Sequence, residues 1–188
     1  MTTNKAHALP DARQDDSAAA QFDATFLEHW QPIYRALMRL VGDHAEAEDL
    51  ALETFWRLYQ RPPSKQRDPN LGGWLYRVAT NLGLNALRAH KRRQQHEMQA
   101  GKWAIETSAS DPAQMMLDEE ERARVRAVLA TLDARQAQLL LLRHSGMAYR
   151  ELGDALGVSV NSIGTLLARA EREFEKRYRE KGDQNASQ

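Results

Sequence analysis

Three groups of side chains in this sequence have the types and spacing that recognition of nucleic acid or of a protein partner requires. The first is the run AYRELGDALGVSVNSI at 148–163. Two short amphipathic stretches meet there at Gly157, and Ser159 stands where it can cap the second, which predicts a helix-turn-helix. The second helix of that unit places Val160, Ile163, Leu167, Ala170 and Phe174 on one side and Asn161, Ser162, Thr165, Arg169, Arg172 and Lys176 on the other. Small polar groups and unbonded amides at a helix start can reach base edges, whereas arginines further along suit phosphate oxygens.

The second group lies on a basic helix. Arg77, Asn81, Leu84 or Asn85, Arg88 and Arg92 share one stripe, and the tract His90, Lys91, Arg92, Arg93 extends it. Guanidinium and amide groups in one line, with Trp74 and Tyr76 at its start, can bind phosphates, bond base edges and stack on bases. The third group is acidic: Glu46, Asp49 and Glu53 at helical spacing, with Leu52 and Trp56 on nearly the same side. Carboxylates bordering exposed apolar groups make a surface for docking a protein. Taken singly, a solvated helix face is the simpler reading of either stripe, and acids favour a helix N-terminus in any case.

Catalysis and metal binding find no comparable support. The six histidines, His7, His29, His44, His90, His96 and His144, form no HExxH or other close ligand pair. There is no phosphate-binding glycine loop of the GxxxxGK type and no GxSxG nucleophile motif. The absence of cysteine excludes disulfides, Cys-ligated zinc and a thiol nucleophile or sensor within the chain. The expectation is a binding protein without catalytic residues, metal or cofactor.

The elements that must position these groups are helices. Phe26, Leu27, Trp30, Ile33, Tyr34, Leu37 and Val41 recur at steps of three and four, with Pro32 inside the run as a potential bend. A second helix from about Asp43 to Tyr59 turns Ala47, Leu50, Ala51, Phe55 and Leu58 inward and stops at Arg61, Pro62 and Pro63. After a loop over 64–73, a third helix turns Trp74, Leu75, Val78, Leu82 and Ala86 inward. Helical spacing resumes at Leu117, Val125, Val128, Leu129 and Leu132, then over Ala137 to Leu142, Ala148 to Leu156 and Val160 to about Arg179. No alternating strand pattern of useful length occurs, so the fold class is all-α.

Length and charge set the layout. The 188 residues suit two small helical units better than one large core. The net charge of zero conceals alternating blocks, −4 over 22–60, +7 over 61–103, −6 over 104–121 and +4 over 122–188. Blocks of opposite sign predict separate surfaces for different partners, the +7 block being the one for phosphates. No apolar run approaches the ~20 residues of a membrane helix, and the polar start lacks a signal-peptide core. The expected location is the cytoplasm, without membrane insertion.

Three motifs in order carry a family resemblance: AEDLALETFWRLY at 47–59, GWLYRVATNLGLN at 73–85 and the helix-turn-helix at 148–163. Together they resemble an extracytoplasmic-function (ECF) sigma factor of bacterial RNA polymerase, over roughly 22–95 and 115–180. The resemblance implies a sigma2-like helical bundle over 22–95 and a sigma4-like helix-turn-helix domain over 115–181. A flexible linker over 96–114 would join them, with tails at 1–21 and 182–188.

It also implies roles for named residues. Glu46, Asp49, Leu52, Glu53 and Trp56 would dock on core RNA polymerase. Arg77, Asn81, Asn85, Arg88, Lys91, Arg92 and Arg93 would bind the minus-ten promoter element and help part its strands, with the loop Ser64 to Leu71 helping to form a pocket for an unstacked base. Ser159, Asn161, Ser162, Thr165, Arg169, Arg172 and Lys176 would read the minus-thirty-five element. Core polymerase and promoter DNA are the partners implied, and an anti-sigma protein is a third. Two departures are visible: Leu52 stands where the family usually has Gln, and Gly164, Thr165 and Leu166 stand where many members carry Lys or Arg and Ser. The alternative is a helix-turn-helix regulator that never engages polymerase, which leaves the acidic and basic helices without a task.

Overall fold

The computed structural model describes residues 12–63, 70–99 and 114–186, and the described residues form seven helices and no strand. The first half contains α1 (Ala12–Val41), α2 (His44–Gln60) and α3 (Leu71–Gln99). The second contains α4 (Gln114–Leu129), α5 (Ala134–His144), α6 (Tyr149–Leu156) and α7 (Val160–Ala186).

An aromatic column organises the first half. Phe26, Trp30 and Tyr34 follow one another at i+4 along α1, with ring centroids 5.0 and 6.2 Å apart, and Phe55 of α2 closes on Phe26 at 4.8 Å. Pro32 sits inside α1 without ending it. Gly42, at φ +81°, turns the chain, and the Asp43 carboxylate accepts the Glu46 N–H at 2.8 Å to cap α2. Asn70 does the same for α3, its side-chain oxygen accepting the Gly73 N–H at 2.9 Å. Small residues bring the helices close: a Cβ on Gly83 would lie 2.5 Å from Leu40 Cδ2.

In the second half α6, Gly157 and α7 form the expected helix-turn-helix. Gly157 is left-handed (φ 64°, ψ 40°), and the Val158 N–H returns to the Gly153 carbonyl at 3.0 Å. Ile163, Leu167 and Ala170 are buried as the spacing predicts. Val160 is not: it is 42% exposed, in the first turn, where it lies over Gly153 of α6, a residue with no side chain to cover it. Ser159 serves the helix start through its carbonyl, which accepts the Ser162 N–H at 2.9 Å, while its hydroxyl makes no hydrogen bond among the described residues.

Element bounds differ from the sequence reading at both ends. Helix α1 begins at Ala12, ten residues ahead of Phe22, and α7 runs on to Ala186. The i,i+4 pairs Arg177–Glu173 and Arg179–Glu175 support the turns that lead up to that extension, and Lys176–Glu180 crosses into it. Of the predicted linker, 96–99 belongs to α3, 114 opens α4, and 100–113 lies outside the described residues, as does 64–69 of the predicted base-pocket loop.

The larger difference is that the halves share a core. Leu40, Leu84 and Leu87 of the first half and Leu129, Leu132 and Ala137 of the second make one buried cluster. Leu84, expected on the open stripe beside Asn85, is 1% exposed. Tyr76 packs against the main cores of both halves, and burial raises its hydroxyl pKa against the opposing charge of Arg39. The sequence predicts two small helical units, each with its own core; the structure places leucines from three helices between them.

Candidate nucleic-acid interface

The recognition face of α7 is open. Asn161, Ser162, Thr165, Arg169, Arg172 and Lys176 are all exposed, along 16 residues of one helix. Asn161 and Ser162 lie in the first turn, where the Ser162 N–H is already taken by the Ser159 carbonyl, and Arg169 and Arg172 lie two to three turns on. The Arg172 Nε donates to the Ala168 carbonyl at 3.0 Å, which leans that side chain back along the helix. Gly164 lies beside the Tyr149 ring, where a Cβ would make an ordinary contact with Cε2 at 3.7 Å, so the site does not demand glycine. Tyr149, 45% exposed, and Val160 add an apolar border to the polar start of α7.

The basic helix divides into two sets. Asn81, Asn85, Arg92 and Arg93 are exposed, whereas Arg77, Arg88 and Lys91 face the second half. Arg77 Nη1 donates to the Ala155 carbonyl at 2.8 Å, and Arg88 Nη2 donates to the Leu132 carbonyl at 3.1 Å. Gln138, 7% exposed on α5, donates to the Arg77 carbonyl at 3.0 Å and to Thr80 Oγ1 at 3.3 Å. Arg77 and Arg88 lie about 20° apart around α3, on the edge between its open face and the seam. A stripe drawn from spacing alone cannot tell this edge from the solvent side, and only the partner helices reveal it.

The acidic stripe is likewise split. Asp49 is exposed, and Glu53 holds Arg57 at 2.8 Å on the same surface. Glu46 turns toward α3, its two carboxylate oxygens 2.8 and 2.9 Å from His90 Nε2, and Arg93 reaches His90 Nδ1 at 3.0 Å. It therefore ties α2 to α3. Leu52 and Trp56 are 48% and 53% exposed, and sequence reasoning missed their neighbour Tyr59, 65% exposed and stacked on Trp56 at 5.7 Å. Its signal was available, since Tyr59 follows Trp56 by three residues and falls on the same helix face. Three large apolar groups side by side on one surface, bordered by Asp49 and Glu53, suit a protein partner that offers apolar and basic groups.

Among the described residues no group of three or more His, Asp or Glu side chains is arranged to hold a metal, and no helix is long and apolar enough to cross a membrane.

Comparison with known proteins covers the same two halves. The family description of sigma-70 region 2 matches residues 25–93, and that of sigma-70 region 4 matches residues 122–174. The ECF RNA polymerase sigma factor SigE of Mycolicibacterium smegmatis is 29% identical over 168 residues, which cover 89% of this chain and 65% of that protein. The RNA polymerase sigma-H factor of Pseudomonas aeruginosa is 29% identical over 165 residues, 82% of this chain and 84% of the relative. In fold, the chain is similar to the sigma factor RpoE of Bartonella quintana, solved in complex with the anti-sigma factor NepR. The TM-score is 0.51 at 22% identity, over 85% of this chain and 97% of that one.

Proposed function

Since this chain belongs to the sigma-70 family, in its extracytoplasmic-function group, we propose that it binds core RNA polymerase, directs it to a set of promoters and promotes strand opening there. The observation that carries this reading is the coexistence of two nucleic-acid faces and one apolar-acidic face on a single chain, within the matched regions. A regulator that only bound DNA would have no use for Leu52, Trp56 and Tyr59 in the open.

Each surface then has a task. Asp49, Leu52, Glu53 and Trp56, with Tyr59, dock on the polymerase, and Glu46 holds their helix to α3 through His90. Asn161, Ser162 and Thr165 read the minus-thirty-five element while Arg169, Arg172 and Lys176 bind its phosphates. Ser159 sets the start of that helix through its backbone. Asn81 and Asn85 bond edges of unpaired minus-ten bases, and Arg92 and Arg93 bind the neighbouring backbone. Unstacking a base costs a few kcal/mol, so a protein that binds the unstacked strand favours opening without catalysis.

Arg77 and Arg88 join the minus-ten surface only when their guanidinium groups leave the Ala155 and Leu132 carbonyls. Promoter engagement through those residues therefore breaks two bonds that α6 and the turn before α5 make with α3. An anti-sigma partner, of the kind RpoE binds in its complex with NepR, would act by holding the halves or covering these faces. The test is transcription in vitro from genomic DNA with purified core polymerase, mapping start sites with and without the chain. A set of starts that appears only with the chain supports the reading, and none removes it.

A further inference from the structure

One cluster of cations takes in Lys91, expected on the minus-ten surface but turned toward the second half, together with two cations that no surface above uses. Lys91 of α3, Arg124 of α4 and Lys181 of α7 line a recess of about 600 Å³ where the three helices meet. Lys91 and Lys181 also form the wall between it and a second recess lined by Glu173, Lys176, Arg177 and Glu180. The acids nearby are already engaged. Asp43 caps α2, Glu46 holds His90, Glu173 holds Arg177 and Glu180 faces Lys176. Glu120, at the rim, is the one carboxylate of the first recess without such a bond among the described residues. Neither Lys91 nor Lys181 has an ion pair among them.

Arg124 is held in place rather than neutralised. Its Nη2 donates to the Tyr178 carbonyl at 2.9 Å and its guanidinium lies 3.9 Å over the Tyr178 ring. A Cβ on Gly182 would collide with Nη2, so the glycine admits this close approach. The Arg124 Nε is buried with no hydrogen-bond partner. A guanidinium fixed by a carbonyl and a ring and two unpaired ammonium groups make a set that lacks its anion. The Lys181 pKa is lowered by burial and by the charges of Lys91 and Arg124, as expected where cations converge without a counter-charge.

We propose that this recess binds a compact multivalent anion of the phosphate class, pyrophosphate or the diphosphate of a nucleotide, between Lys91, Arg124 and Lys181. Three cations brought from three helices to one recess match a compact anion with a charge of two or more, and a duplex backbone would meet them one phosphate at a time. Lys91 belongs to the first half and the other two to the second. An anion held by all three therefore favours the packed arrangement over the separated one by mass action. The binding is independent of the sigma reading; an effect on transcription rests on it.

The experiment uses the full chain and sodium pyrophosphate, with chloride matched for ionic strength. The thermal midpoint rises and saturates with pyrophosphate. The double variant Lys91→Ser, Lys181→Ser melts cooperatively yet binds about tenfold or more weakly, while Glu120→Gln binds more tightly. Arg169→Ala, on the exposed face of α7, leaves the response unchanged. No rise beyond the chloride control overturns the proposal, as does a rise that the double variant retains or that Arg169→Ala abolishes. A short random duplex that gives the same Lys181-dependent rise would assign the recess to the DNA backbone and overturn it too. If the double variant proves unfolded, Lys181→Gln alone, at a half-buried site near the end of α7, carries the same comparison.

Discussion

Arg77 Nη1 bonds the Ala155 carbonyl at 2.8 Å, across 78 positions of sequence, so a residue of the predicted minus-ten surface is engaged by the first helix of the helix-turn-helix. Gln138 reinforces the same contact from α5 without belonging to either DNA surface. Replacing Gln138 by Ala removes two hydrogen bonds from a nearly buried site, a loss of about 1–3 kcal/mol. The expected result is a lower urea midpoint together with tighter binding of a single-stranded minus-ten oligonucleotide, since α3 is released. A lower midpoint with no gain in binding would mean that the seam does not limit access to α3.

Leu84 tests whether the halves are one cooperative unit. Leu84→Ala opens a cavity among leucines of both halves and should cost about 2–5 kcal/mol. Amide exchange should quicken in α5 as well as in α2. Faster exchange confined to α1–α3 would show that the shared core does not couple them.

The docking face can be tested without disturbing the fold. Asp49→Lys with Trp56→Ala changes one exposed charge and one half-exposed ring, so helical content should persist while affinity for core polymerase falls about tenfold or more. Affinity equal to that of the natural chain would remove the assignment of this face.

The two DNA surfaces should fail differently. Arg169→Ala or Arg172→Ala should weaken duplex binding by a similar factor on every sequence, because phosphates are sequence-blind. Asn81→Ala with Asn85→Ala should leave closed-complex binding nearly intact and impair opening, with partial rescue on a premelted template. Permanganate reactivity of the start-site bubble reads this, and wild-type reactivity in the double variant would take strand separation away from these amides.

Lys181 gives a pH dependence with a definite sign. Its pKa lies below the ordinary 10.5 in the folded chain, so between the two values the unfolded chain holds the extra proton and stability rises with pH. Tyr178 and Tyr76, both raised, titrate in the opposite sense nearby. The measurement is therefore a difference: between mildly and strongly alkaline pH the natural chain should gain stability relative to Lys181→Met. A constant gap would mean that neither burial nor the neighbouring Lys91 and Arg124 lowers it.

Helix identity, the helix-turn-helix and the polar face of α7 were legible because each depends on local period, a left-handed glycine or a turn. The open docking face was legible through Leu52 and Trp56, which interrupt an otherwise regular apolar pattern. The contact between the halves was not. Leu84 and Arg77 look like members of a stripe opposite the core because α3 has two buried sides, and periodicity measured against one core cannot reveal the second. Glu46 and His90, 44 residues apart, carry no mark in the sequence of the bond that joins them.

The shared leucine core also has a competitive meaning. Residues 100–113 tether α3 to α4, so the seam forms intramolecularly, at an effective concentration that for short tethers is on the order of millimolar. An interface too weak to hold two separate proteins together then keeps this chain closed most of the time. Any partner that needs the halves apart sees its apparent affinity reduced by the fraction of chains that are open. Lengthening that tether would lower the threshold at which a partner wins, with no change to any surface that touches it.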